Sequence, residues 1–345
     1  MLEHGGALNA AAARYGRAAA EWLDLSTGIN PHGYPVPSLD AECWRRLPQD
    51  DDGLEAAARA YYGSPQPQQP LAVAGSQAAI LALPGLFPPG RVLMLAPSYA
   101  EHATAWRRAG HALQLLDANA ANIHLETAAA GCDYALLCHP NNPTGTRFAK
   151  ARLLALAESL EQRGGALVLD EAFIDCTPHD SLAAASDRPG LVVLRSLGKF
   201  FGLAGARVGF VLAEAGLLAR LREVLGPWPL SGPARAVARA ALADPAWQTA
   251  MRERLVKDGA RLSTLLREHR LGQPQGTPLF QWLAHARAAA IHADLARRGI
   301  LARLYANPPG MPPSLPSLRL GLPGSEPAWA RLAAALAELE TDYAV

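Results

Sequence analysis

The chain has 345 residues, half of them hydrophobic, which is enough for two domains with a core each. Its 32 Lys and Arg nearly balance 31 Asp and Glu, the net charge is +1 and no basic run stands out, so nothing favours a nucleic-acid partner. The four cysteines never fall in a C-x-x-C pair, which points away from a metal site or a disulfide framework, and no apolar run nears the ~20 residues of a membrane span.

The opening Met1-Leu2-Glu3-His4-Gly5-Gly6 has neither the basic nor the apolar region of a secretory leader, so a soluble, cytoplasmic protein with reduced thiols is expected. A helix is predicted from Ala10 to Trp22, then a strand fragment from Asp24 that ends in a turn at Asn30-Pro31-His32-Gly33. The next helix is predicted over Gly53 to Tyr62 and stops at Gly63. After a loop at Gln66 to Pro70 the pattern changes to strand–turn–helix units. Leu71 to Ala74, Val92 to Leu95, Tyr134 to Cys138, Ala166 to Leu169 and Leu191 to Arg195 read as strands. Helices are predicted from Ala78 to Phe87, Glu101 to Ala109 and Ala149 to Gln162, and one more strand from Gly209 to Leu212. Cys138, inside an apolar strand, reads as a small core residue.

The rest of the chain is expected to be α+β. Helical pattern resumes after Leu217, breaks at Gly226-Pro227-Trp228-Pro229, and runs again from Gly232 to Leu271 with a pause at Pro245. A strand is predicted over Pro278 to Leu283 and a helix over Ala288 to Gly299. Short strands at Leu301 to Leu304 and Ser317 to Leu320 flank a proline-rich loop, Asn307 to Pro316, and a last helix covers Pro327 to Leu339. Strands alternating with helices imply an α/β fold, with a mostly parallel central sheet and helices on both faces. The larger domain is expected at 46–235, and a smaller α+β domain from 1–45 and 236–345.

Ligands of such sheets bind beyond the carboxyl ends of the strands. Gly75 and Ser76, Tyr99, Asn142, Asp170 and Lys199 each fall at such an end. In the stretch Ser196-Leu197-Gly198-Lys199, followed by Arg207, a lysine among small and aromatic neighbours can lose its proton and attack carbonyls. A hydroxyl and an arginine beside it suit a phosphate. An imine-forming lysine with a phosphate anchor meets the needs of pyridoxal phosphate. A P-loop is excluded, because it wants a glycine where Val193 stands and a hydroxyl where Phe200 stands; glycines 202, 205 and 209 do not make the dinucleotide spacing either.

The other residues fit the same cofactor. Amides at Gly75-Ser76-Gln77, a helix start directly after a strand, would bind a phosphate. Tyr99 suits stacking on a flat ring or a plain place at the rim. Asp170 suits a pyridinium nitrogen, or else a helix cap. Asn142 suits the ring's 3-oxygen. Two glycines after His4 point to backbone pressed close to something, although a histidine near a terminus is more often solvated. Arg303 and Arg319 stand in apolar strand-like runs, where an unpaired guanidinium is expensive, or else at the surface.

Asn141-Asn142-Pro143-Thr144-Gly145, Asp170-Glu171-Ala172-Phe173 and Ser196-x-x-Lys199 with Arg207 resemble the fold-type-I aminotransferase superfamily, class I/II, in order and spacing across residues 71–212. Within it, His4-Gly5-Gly6, Ser26-Thr27-Gly28-Ile29-Asn30-Pro31, Asp170 to Asp175, Gly226-Pro227-Trp228 and Ile300-Leu301-Ala302-Arg303 resemble the cobalamin-biosynthetic L-threonine-O-3-phosphate decarboxylases. The resemblance implies Lys199 as the lysine bonded to the cofactor and Asp170 as partner of its ring nitrogen. It implies Gly75, Ser76, Gln77, Tyr99, Asn142, Ser196 and Arg207 around the cofactor, with His4, Gly5, Asn30, Asn142, Arg303 and Arg319 around the substrate. It further implies a homodimer and a small phosphorylated amino acid as substrate. A similar aminotransferase, such as one acting on histidinol phosphate, is the alternative, and a non-catalytic cofactor-binding protein a second. The chain departs from its relatives at Gly198 (often Ser or Thr), at Phe173 (often Tyr) and at Leu47 before Pro48, where many have a Tyr that reaches the partner's cofactor phosphate.

Overall fold

The computed structural model describes residues 4–67, 69–306 and 315–343, apart from the side chains of Glu340 and Asp342. The chain divides into a smaller unit, Met1–His32 with Pro143–Gly145 and Arg252–Val345, and a larger one, Gly33–Asn142 with Thr146–Met251. Residues 33–45 and 236–251 therefore group with the larger unit.

The smaller unit opens with α1 (Leu8–Tyr15) and the short strand β1 (Leu23–Asp24). Gly16 caps α1 in a left-handed conformation, so the helix is shorter than its alanine-rich sequence predicts, and a 3-10 turn at Ala19–Glu21 takes up the remainder.

The larger unit then runs through α2 (Leu54–Tyr62), β2 (Leu71–Ala74), α3 (Gly75–Ala82), β3 (Arg91–Ala96), α4 (Ala100–Arg108), β4 (Ala112–Asp117) and α5 (Ala121–Ala129). It continues with β5 (Tyr134–Cys138), α6 (Lys150–Glu161), β6 (Ala166–Asp170), β7 (Leu191–Ser196), β8 (Val208–Leu212), α7 (Ala215–Leu225) and α8 (Gly232–Leu242). Seven strands form one sheet in the order β2-β8-β7-β6-β5-β3-β4. Every residue of β5 and β6 is buried, as parallel strands covered on both faces require. Val73, Met94, Val168 and Leu194 meet Trp106 and Leu221 in the core of one layer.

Two features go beyond the sequence reading. β4 and α5 fill a stretch between Ala109 and Tyr134 for which the sequence reading names no element. β4 is an edge strand with Ala112 exposed and the rest half-buried, so Ala-Leu-Gln-Leu-Leu-Asp shows neither a buried run nor clean alternation, and pairing with β3 decides it. The second is direction: β8 runs antiparallel to both β2 and β7. Val208 therefore pairs with Ala74 and Gly209 with Ser196, which sets Arg207 at the same edge as the carboxyl ends of the parallel strands.

The chain leaves through α9 (Pro245–Glu268), inside which the division between the units falls. There follow β9 (Gln275–Thr277), β10 (Phe280–Ala284), α10 (Ala288–Arg297), β11 (Ile300–Leu301), β12 (Arg303–Tyr305), β13 (Ser317–Gly321) and α11 (Glu326–Tyr343). β12, β13, β10 and β9 form an antiparallel sheet, while β11 pairs with β1. The single strand expected at Leu301 to Leu304 thus splits between two sheets. Of the expected proline-rich loop, residues 307–314 lie outside the described residues. Among the described residues no helix is long and apolar enough to cross a membrane.

Candidate active site

One edge of the larger unit's sheet collects the expected cofactor residues. Gly75 to Gln77 follow β2, Tyr99 follows β3, Asn142 follows β5, Asp170 ends β6, Ser196 ends β7 and Arg207 precedes the reversed β8. Lys199 comes three residues after Ser196, in the turn beyond β7.

The anion cradle is built largely from backbone. No side chain caps the amides of α3, so its first turn presents donors to an incoming anion. Gly75 has φ +68°, and a Cβ there would lie 2.8 Å from Arg207 Nη2. A Cβ at Gly209 would lie 2.4 Å from the Ser76 nitrogen. Two absent side chains therefore let β8 and the guanidinium close on the helix start. Arg207 itself holds a left-handed φ of 56°, a conformation that strains a residue with a Cβ by about 1–2 kcal/mol. Its Nη1 donates to Ala204 O at 3.1 Å. Ser196 Oγ accepts from Gly198 N at 3.2 Å, which orients the hydroxyl. A positive cradle with a hydroxyl suits a phosphate monoester.

Asp170 is buried at the end of β6. Its Oδ2 lies 2.8 Å from His102 Nε2, and its Oδ1 accepts from Ala172 N at 3.0 Å. Burial opposes charge on the His102 ring, but hydrogen bonds to Asp170 and Cys138 outweigh it and push its pKa up to about 10. Sequence reasoning missed His102. The available signal was its place three residues after Tyr99, on the first turn of a helix that follows a strand end. Tyr99 OH donates to Gln77 Oε1 at 3.1 Å, and its ring meets His102 edge-on at 5.8 Å. Burial, helped by the Asp170 charge, pushes the Tyr99 phenol up to about 12.

Cys138 is buried as expected, yet it is more than filler. Its sulfur lies 3.5 Å from Ser98 Oγ, and it and the ligand atoms of His102 and Asp170 fall within 4.8 Å of one another. Asn141 is fully buried and structural: Nδ2 donates to Pro97 O at 3.0 Å and Oδ1 accepts from Ser98 Oγ at 2.9 Å. It fixes the turn from which the half-buried Asn142 emerges.

Lys199 is half-buried, with Nζ 5.5 Å from the centre of the Phe173 ring. Phe173 is buried, so this departure from tyrosine gives the lysine an apolar wall. The turn is anchored behind it: Phe200 and Phe201 are buried, and Phe201 stacks on Trp247 at 5.6 Å.

In the smaller unit Arg303 and Arg319 are direct cross-strand partners, so both side chains leave one face of the sheet. Like charges so placed repel, and an anion between them would relieve it. Arg319 is buried; its Nη2 donates to Ser26 O at 2.6 Å and its guanidinium lies 5.3 Å from the Phe280 ring. The N-terminal segment reaches the same Ser26. A Cβ at Gly5 would lie 2.3 Å from Ser26 O, and Gly6 N donates to Ser26 Oγ at 2.7 Å. His4 is exposed. Asn30 is buried and shapes its own turn, with Oδ1 accepting from His32 N at 2.8 Å. Gly5 and Arg319 thus meet at Ser26, and Arg303 stands opposite Arg319 across the strands.

The model of aminotransferase class I and II matches residues 42–336. The chain belongs to that family. This bears out the resemblance read from the asparagine, aspartate and lysine motifs. Among class I and II relatives, the chain is 53% identical to threonine-phosphate decarboxylase of Pseudomonas aeruginosa over 336 residues, 97% of each chain. It is 40% identical to threonine-phosphate decarboxylase of Sinorhizobium sp over 98% of each. A solved structure, histidinol-phosphate aminotransferase from Sinorhizobium meliloti in complex with pyridoxal-5'-phosphate, is similar with a TM-score of 0.81 at 21% identity, covering 100% of this chain and 99% of that one. At that identity the likeness shows the aminotransferase fold.

Proposed function

We propose that this family member is a pyridoxal-phosphate-dependent decarboxylase of L-threonine O-3-phosphate, yielding (R)-1-aminopropan-2-yl phosphate and carbon dioxide in cobalamin biosynthesis. The observation that carries the reading is 53% identity to a threonine-phosphate decarboxylase over 97% of both chains.

The cofactor, when bound, supplies a ring that accepts the electrons of a breaking bond at Cα. The uncapped α3 amides with Gly75, Ser76 and Gln77, the Ser196 hydroxyl and Arg207 suit its phosphate. Asp170 would face the ring nitrogen, and His102 beside it supports the ionised carboxylate. Asn142 would hydrogen-bond the ring oxygen and Tyr99 would cover the ring. Lys199 would hold the cofactor through its amine, and its Nζ would carry the proton that Cα regains.

Arg319 and Arg303 are assigned to the substrate phosphate, with His4, Gly5 and Asn30 completing the set. Tight binding of an ionised carboxylate would stabilise the ground state that must lose charge on leaving as carbon dioxide. Paired guanidinium groups suit a dianion instead. We assign a homodimer as well, supported by large hydrophobics left exposed on the larger unit, Val36, Trp44, Leu47 and Trp228. We assign a cytoplasmic location too, since no two of the four cysteines fall in a C-x-x-C pair.

Incubation of the holoenzyme with phosphothreonine tests the reading. Carbon dioxide released without a 2-oxoacid is the expected result. Dependence on an amino acceptor overturns it in favour of an aminotransferase, and cofactor binding without turnover of any amino acid leaves a non-catalytic binding protein.

A further inference from the structure

The functional reading uses Asp170 and Lys199 but leaves a buried ion cluster next to both unexplained. Leu194 is the register partner of Asp170. Arg195 follows it in the strand and therefore points to the opposite face of the sheet. Arg195 is 2% exposed, Glu171 0% and Asp175 1%. The Arg195 Nη1 donates to Glu171 Oε2 at 3.0 Å and to Ser181 Oγ at 2.9 Å, while Nη2 donates to Asp175 Oδ1 at 2.5 Å. Tyr61 OH donates to the same Asp175 oxygen at 2.9 Å, Leu182 N donates to Glu171 Oε1 at 2.8 Å, and the guanidinium lies 4.4 Å from the centre of the Tyr62 ring.

The position of this fork in the chain is informative. The β6–β7 ladder is extended by one bond from Glu171 N to Leu194 O at 2.9 Å. From there the first segment carries Asp170, Phe173 and Asp175 in sequence, and the second passes Ser196 to reach Lys199. The two donor groups of Arg195 grip the first segment at two points, Glu171 and Asp175, on either side of Phe173. Phe173 is the residue whose ring lies 5.5 Å from Lys199 Nζ. A buried cluster of one cation and two carboxylates is a poor source of net stability, because desolvation offsets the attraction. Its chemistry is better suited to fixing geometry, and a planar fork does so where an ammonium would not.

We propose that Arg195 is a positioning residue for the reaction, tying the segment that carries Asp170 and Phe173 to the turn that carries Lys199. The proposal rests on the functional reading above. Displacement of reacting groups by about 1 Å can lower a rate by about 100-fold. Arg195→Lys and Asp175→Asn are therefore expected to retain bound cofactor and lower kcat by about 10- to 100-fold, with KM for phosphothreonine within about twofold of the parent. They are also expected to move the pH at which the visible absorbance of bound cofactor changes. A lower melting temperature with kcat and that absorbance titration unchanged overturns the proposal and leaves the cluster purely structural. If Arg195→Lys does not fold, Asp175→Asn and Ser181→Ala decide by the same two readouts. A parent enzyme that binds the cofactor without decarboxylating phosphothreonine defeats the functional reading instead, and the absorbance titration of the variants still decides for or against Arg195.

Discussion

The larger unit gathers its candidate residues at strand ends, whereas the smaller unit sets two guanidinium groups opposite each other across a pair of strands. In the larger unit Asp170 and Ser196 are last residues of parallel strands, and the anion cradle is mostly main chain brought close by missing side chains. In the smaller unit Arg303 and Arg319 face each other across β12 and β13, and the binding role proposed for them rests on their charge. A backbone site is held by the whole sheet. A side-chain site depends on the register of a few short strands.

Substitutions should separate the two. The largest effect is expected for Lys199→Ala, a loss of at least ~10³-fold in phosphothreonine turnover together with loss of the visible absorbance of the bound cofactor. Retention of that absorbance without added amine rules out Lys199. Asp170→Asn should keep cofactor bound yet lose about 100-fold or more in kcat, because a neutral amide does not hold the ring nitrogen protonated. Near-normal turnover would falsify the role given to this carboxylate.

The smaller unit comes next. Arg319→Ala should weaken phosphothreonine by about 2–4 kcal/mol while affecting plain threonine much less. Equal losses in kcat/KM for the two substrates would place the carboxylate, not the phosphate, on Arg319. Gly75→Ala should weaken cofactor affinity by about tenfold, since the new methyl would meet Arg207 Nη2 at 2.8 Å and the residue would be strained at φ +68°. Equilibrium dialysis of the cofactor checks it, and unchanged affinity would mean that the cradle has slack.

The smallest effect concerns pH. The pKa of His102 rises from its ordinary 6.5 to about 10 in the folded protein. A raised pKa adds stability that is complete below about pH 6.5 and is lost as pH climbs through about 10. Melting temperatures of the parent and His102→Gln, measured over that range, should converge by a few degrees as pH rises, on the order expected for one ion pair in a chain of this size. A constant gap would deny the His102–Asp170 pair its charge.

Residues that follow a periodic pattern were legible. The apolar runs of β5, β6 and β7 marked strands, and strand ends are where such sheets bind ligands, so Asp170, Lys199 and Gly75 could be named from sequence. His102 could not, because its role depends on α4 turning it toward the end of β6, where Asp170 stands 68 residues later. Arg303 and Arg319 were legible as expensive guanidinium groups. Their opposition across one register was not.

What the sequence determined by itself is the family and the cofactor, through motifs of fixed order and spacing, and most of the strands and helices, through the two periods of regular backbone. Tertiary structure decided the reversal of β8, which brings Arg207 to the start of α3, and the existence of β4, which owes its pairing to β3. It also decided which charges meet: Asp170 with His102, Arg195 with Glu171 and Asp175, and Ser26 with both Gly6 and Arg319. Pairing between distant segments lowers the free energy only once the chain has brought them together, so no local stretch of sequence records it.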